Sequence, residues 1–114
     1  MEIKIGEYVR TKSGIIDKVD ALYGIIEDTI HLEIQKWFDT HNIAKHSKNI
    51  IDLIEVGDFV NGCKVYENHK TYLTVYQKSK NSEVDYNYIN HDEIKTILTH
   101  EQFEQNCYRL EEKW

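Results

Sequence analysis

Six histidines and two cysteines, Cys63 and Cys107, are the residues of this 114-residue chain with the widest chemical repertoire. A zinc ion needs about four nitrogen or sulfur ligands converging on one point. The chain has no Cys-x-x-Cys and no His-Glu-x-x-His spacing. Two looser groupings remain. Cys63 and His69 flank a hairpin turn that could bring them together, and His91, His100 and Cys107 lie close in sequence in the last third. A small zinc-binding protein is therefore one alternative reading, set against solvated histidines and no bound metal. A nucleophilic thiol needs an imidazolium or a helix start beside it to lower its pKa. Cys107 is expected to follow a short helix and Cys63 to sit on a strand with an apolar face, so both are read as inert, unbridged, half-buried thiols. Five scattered glycines make no phosphate-cradling loop. Asp92-Glu93 reads as a solvent or helix-start pair. No catalytic residue and no cofactor is assigned, and the chain is read as not an enzyme.

Tyrosine is the outlier, with eight copies. Tyr66, Tyr72, Tyr76, Tyr86 and Tyr88 all fall on predicted strands. Tyr72, Tyr76, Tyr86 and Tyr88, with the neighbouring acids Glu83 and Asp85, form the candidate partner-binding set, because tyrosine is enriched in binding hot spots. The competing reading is that the rings pack a second sheet face or the space between two halves of the molecule. The net charge of −6 and only two arginines, Arg10 and Arg109, remove the basic footprint of a nucleic-acid reader. An acidic balance suits solubility or a basic protein partner. Apolar runs are short, such as Ile15-Ile16 and Ile50-Ile51, so no membrane span or signal-peptide core is expected, and a cytoplasmic location is. The abundance of isoleucine, lysine, asparagine and tyrosine points to an AT-rich genome.

These side chains must be carried by β structure. Ile5-Gly6-Glu7-Tyr8-Val9 recurs as Val56-Gly57-Asp58-Phe59-Val60, 51 positions on. Glycine permits a positive φ that turns the chain into a strand. The acid is expected to cap that turn from the solvent side, and the aromatic and valine are strong strand formers. Ser13-Gly14 and Asn61-Gly62 then supply hairpin turns. Alternation predicts a strand beginning near Thr29, with Trp37 and Phe38 closing the first core and a polar connector from Asp39 to Asn49. Ser47 is expected to cap a short helical turn carrying Ile50, Ile51 and Ile54. Further strands are predicted over 63–66, 71–77, 84–89 and 94–98. Thr99 with Gln102 fits a capping box opening a turn that carries Phe103, and 107–110 reads as a final strand. The fold class is mainly β with short helical turns: two small SH3-like barrel or curled-sheet modules, 1–54 and 55–114, packed as one domain. Val9, Ile16, Val60, Val65, Leu73 and Val75 are the expected core.

The stretches IGEYVRTKSGIIDKV, KHSKNIIDLIEVGDFVNG and IKTILTHEQFEQNCYRLEE together resemble a family of small phage and prophage proteins of low-GC Gram-positive bacteria. Small acidic phage proteins of this kind include inhibitors of host defence, with anti-CRISPR proteins against type II nucleases the best-known class. The resemblance implies a non-enzymatic inhibitor that binds a CRISPR effector nuclease stoichiometrically in the host cytoplasm, without touching nucleic acid itself. The alternative is a phage accessory or adaptor β-barrel that binds another phage protein.

Overall fold

The computed structural model describes residues 2–22, 29–78 and 84–107. The fold is mainly β. One five-stranded antiparallel sheet contains β1 (Tyr8–Thr11), β2 (Ile16–Leu22), β3 (Thr29–Leu32), β4 (Lys36–Asp39) and β5 (Ile43–Ser47), in the order β4-β3-β2-β1-β5. A second contains β6 (Phe59–Val60), β7 (Cys63–Asn68), β8 (Tyr72–Lys78), β9 (Val84–Asn90) and β10 (Ile97–Leu98), in the order β10-β6-β7-β8-β9. The two orders are the same when β6 is matched to β1. Each sheet also carries a 3-10 turn before its last strand, Thr40–Asn42 in the first and His91–Glu93 in the second. The 3-10 turn Ile50–Leu53 follows the first sheet and the helix α1 (His100–Asn106) follows the second. No helix among the described residues is long and apolar enough to cross a membrane.

The repeated sequence makes a repeated hydrogen-bond pattern. Gly6 and Gly57 have φ of 91° and 97°. Gly6 N–H donates to Val19 O at 2.9 Å, and Gly57 N–H to Val65 O at 3.1 Å. The acid that follows accepts from the amide three residues before it, Lys4 to Glu7 at 2.6 Å and Glu55 to Asp58 at 2.8 Å. Both acids are buried, so they close the turn from the inside and not from solvent as their polarity suggests. Asn61 and Gly62, with φ of 51° and 82°, form the two-residue turn that pairs Val60 with Cys63. Two positive φ values in succession match the right-handed twist of a hairpin.

Each sheet has its own apolar cluster. Val9, Val19, Ile30 and Leu32 anchor the first, and Val60, Val65, Leu73 and Val75 the second. Ile16 is only half-buried, because Asp17 takes the inward position beside Val19. There its carboxylate accepts from the amides of Ile34 and Gln35 at 3.1 and 2.8 Å and closes the β3–β4 turn. Trp37 and Phe38 do not both close the core. Adjacent residues on a strand point to opposite faces, and only Phe38, opposite buried Ile30, packs inward, while Trp37 is exposed against His31. The expected polar connector is instead the end of β4, a 3-10 turn and β5. Ser47 does not cap the next turn; its hydroxyl donates to Asp52 at 2.6 Å. Ile51 and Ile54 from that turn belong to the second core. The proposed final strand at 107–110 lies outside the described residues apart from Cys107, whose amide ends α1 on Phe103 O at 3.0 Å.

The β1–β2 loop of the first sheet docks on the start of α1. Thr99 Oγ1 donates to Gly14 O at 2.6 Å and also accepts from Gln102 N at 3.3 Å as the helix cap. The Gln102 side chain leaves the expected capping box and donates to Ser13 O at 2.9 Å. A Cβ on Gly14 would lie 2.5 Å from Thr99 Oγ1 and 2.6 Å from Glu101 Cβ, whereas a Cβ on Gly62 would meet nothing within 4 Å. Both glycines have positive φ. Gly62→Ala therefore carries only the left-handed backbone penalty of about 1–2 kcal/mol. Gly14→Ala carries that penalty plus the displacement of α1, and its urea midpoint should fall clearly below that of Gly62→Ala. Equal midpoints would mean that the loop does not rest on the helix in solution.

Candidate functional site

Two regions concentrate side-chain chemistry. The first is the outer face of β7, β8 and β9. In β8 and β9, Tyr76 is directly opposite Tyr86 and Thr74 directly opposite Tyr88. A bulge between Val65 and Glu67 lets β7 place both Tyr66 and Glu67 beside them. The rings of Tyr66, Tyr76 and Tyr86 form a triad with centroids 5.1, 5.1 and 5.4 Å apart. Tyr72 continues the row, stacked on His69 at 4.4 Å and edge-on to Tyr88 at 5.7 Å. His69 Nε2 is itself held by Thr74 Oγ1 at 3.0 Å and lies 3.3 Å from Glu67. Partial burial, followed by the neighbouring Tyr86 and Tyr66, pushes the Tyr76 hydroxyl pKa up, so it stays a neutral donor.

Of the six residues singled out from sequence, Tyr72, Tyr76, Tyr86 and Tyr88 are thus brought together. Asp85 alternates with Tyr86 and falls on the other side of β9. Glu83 lies outside the described residues. His69 and Glu67 were not singled out for this face. The turn sequence Glu67-Asn68-His69-Lys70 hides them, since only the bulge and the stacked geometry bring them alongside the tyrosines.

The second region is the junction between the halves. Arg10, on β1, has no solvent exposure. Its guanidinium forks onto Asp58, with Nη1 at 2.5 Å and Nη2 at 3.0 Å, and Nη1 also donates to Leu53 O at 2.9 Å. Nη2 bonds Glu101 on α1 and lies 3.6 Å from Glu55. Nε has no acceptor among the described residues. Asp58 also accepts from the His100 amide at 2.9 Å. Glu55 gathers Lys45 Nζ and His100 Nε2, each at 2.9 Å. Burial opposes charge on Arg10, but the Asp58 and Glu101 hydrogen bonds outweigh it and hold the guanidinium protonated. Burial likewise pushes Glu55 up, yet Lys45, His100 and Arg10 bring its carboxyl down to about 2. The Glu55 hydrogen bond raises the His100 pKa against the opposing effect of burial.

Among the described residues, neither of the looser cysteine–histidine groupings forms a ligand cluster. Cys63 opens β7 and His69 follows its far end, so the pair cannot approach across one turn. His91 opens a 3-10 turn and His100 opens α1. Among the described residues, the group whose ligand atoms lie within 4.8 Å of one another is Glu55, His100 and Glu101, and it contains neither cysteine. Arg10 and Lys45 already pair with its carboxylates. Both cysteines are free and half-buried.

No family model, curated protein or solved structure matches the chain. The two regions must therefore be separated on their own chemistry. The junction has its charges satisfied internally, which marks it as structural, while the tyrosine face is open to solvent. Replacing Arg10 tests that division. Arg10→Met keeps much of the side-chain length but leaves Asp58 buried without its cation. A broken buried pair costs about 3–5 kcal/mol, so the variant should unfold at markedly lower urea. Arg10→Lys should rescue only part of this, because an ammonium cannot fork onto a carboxylate. A loss below about 1 kcal/mol for Arg10→Met, the size of an exposed pair, would contradict a structural role.

Proposed function

We propose that the protein is a non-catalytic binding module that captures a basic protein in a fixed ratio through the tyrosine face of β7, β8 and β9. The observation that carries this reading is the exposure of packed aromatic rings: Tyr66 is 39%, Tyr86 53% and Tyr88 65% exposed. Rings that already lean on one another lose little rotamer freedom on binding, which favours them as anchors. Tyrosine faces also attract lysine and arginine side chains, and Glu67 adds a negative charge beside them. The net charge of −6 would speed the approach of a basic partner. The edge of β9 away from β8 borders the same face. No strand among the described residues pairs with it, and β9 contains neither lysine nor proline. An extended segment of the partner can therefore add there as a further strand.

The resemblance to phage and prophage proteins makes a type II CRISPR nuclease the first partner to test. A phage protein is the alternative partner for the same face. In a DNA-cleavage assay, inhibition should plateau at a fixed ratio of inhibitor to nuclease and should not grow with time. Tyr86→Ala or Tyr88→Ala should weaken binding about 30-fold, the equivalent of about 2 kcal/mol at a hot spot. Ile34→Ser, at a position 70% exposed in the first half, should leave binding unchanged. Inhibition by sub-stoichiometric amounts that deepens with time would mean turnover and contradict the reading. Absence of binding to such nucleases, with retention on a phage protein, would favour the accessory role.

A further inference from the structure

We propose that the cleft between the two halves is a binding site for a small organic anion carrying a phosphate or carboxylate group. The cleft holds about 360 Å³ and is lined by Tyr8, Lys48, Ile50, Lys70, Thr71 and His91 among others. That volume sits at the small-molecule end of the range for ligand pockets. None of its lining residues is acidic, although the chain has 20 acids against 14 bases. Among the described residues neither Lys48 nor Lys70 has an ion-pair partner, whereas Lys45 is committed to Glu55. Positive charge is thus gathered, unspent, in one concavity of an acidic protein.

The walls are fixed in advance. Lys70 has φ of 74°, a conformation that costs a residue with a Cβ about 1 kcal/mol or more. Asn68 imposes it: Asn68 Oδ1 accepts from Lys70 N at 2.8 Å, and Asn68 Nδ2 donates to Ile51 O at 2.7 Å and Ile54 O at 2.8 Å. The β7–β8 turn carrying Lys70 is thereby bolted to the 3-10 turn carrying Ile50. His91 N–H donates to Thr71 O at 3.2 Å and fastens the third wall. Glycine would adopt this backbone at lower cost, so Lys70 brings its side chain to the cleft wall against a backbone penalty.

The donor set defines the ligand. Lysines recognise phosphate or carboxylate as point charges, and the Tyr8 and Thr71 hydroxyls add neutral donors. The Tyr8 ring and half-buried Ile50 offer apolar surface for an organic body. Inorganic phosphate should therefore bind more weakly than an aromatic phosphomonoester.

The test is an amide chemical-shift titration of the full chain with phenyl phosphate, inorganic phosphate, phenol and sodium chloride at matched ionic strength. Phenyl phosphate should give saturable shifts at Lys48, Ile50, Lys70, Thr71 and His91, with a dissociation constant in the millimolar range or tighter. Inorganic phosphate should bind the same amides more weakly. The Lys48→Gln/Lys70→Gln double variant, at two exposed positions, should keep the native spectrum and bind phenyl phosphate at least tenfold more weakly. Absent or non-saturating shifts, shifts reproduced by sodium chloride or by phenol, or undiminished binding by the double variant would each overturn the proposal.

Discussion

A guanidinium without solvent exposure must be matched by its surroundings, and in this protein the matching carboxylates come from the other half of the chain. Stripping water from a charged side chain costs several kcal/mol even after relaxation. Arg10 recovers this through the Asp58 fork, the Leu53 carbonyl and Glu101 on α1. Those partners come from three separate stretches, so β1 is satisfied only when the connecting turn, the second sheet opening and the helix are all in place. The surrounding carboxylates exceed the single cation, and Lys45 and His100 rebalance them at Glu55.

The repeat explains how this clamp is built without disturbing either sheet. Glu7 and Asp58 hold equivalent places and close equivalent turns. Glu7 finds its second partner at home, His46 on the adjacent β5 at 3.2 Å. Asp58 finds its second partner in Arg10. The residue four places after the glycine differs in the complementary sense. Asn61, aligned with Arg10, stays within its own half and ties the Asn-Gly turn to Glu93, Lys95 and Thr96. Two copies of one strand opening thus serve two purposes, and one long cation decides which copy reaches across.

Much of this was legible in the residues. Glycine, acid, aromatic and valine in one order announced the duplicated strand openings, Asn61-Gly62 its hairpin, Thr99 its cap, and the spacing of Tyr72, Tyr76, Tyr86 and Tyr88 a shared face. What escaped the sequence has a common cause: a side chain whose polarity points one way while its position demands the other. The burial of Arg10 and Asp17 left no mark in the sequence, because burial of a charge depends on partners many positions away. The segment from Asp39 to Asn49 read as a connector because β5 buries only Ile43, so periodicity had nothing to count. Trp37 read as core because its size outweighed the alternation that turns it outward. Asp85 read as a neighbour of the tyrosines because it is adjacent in sequence, although the pleat separates it from them.

A rigid junction also bears on the exposed tyrosine face. The clamp carries its own charges, so the outward tyrosines of β7, β8 and β9 take no part in its ion pairs. That division requires the two sheets to fold as one unit with Arg10 as the tie. Residue-resolved amide spectra across a urea titration measure it most directly, comparing β1 and β5 with β7 and β8. The account predicts one shared midpoint for all four strands in the native protein. Separate midpoints, with the first sheet unfolding while the second stays intact, would contradict it.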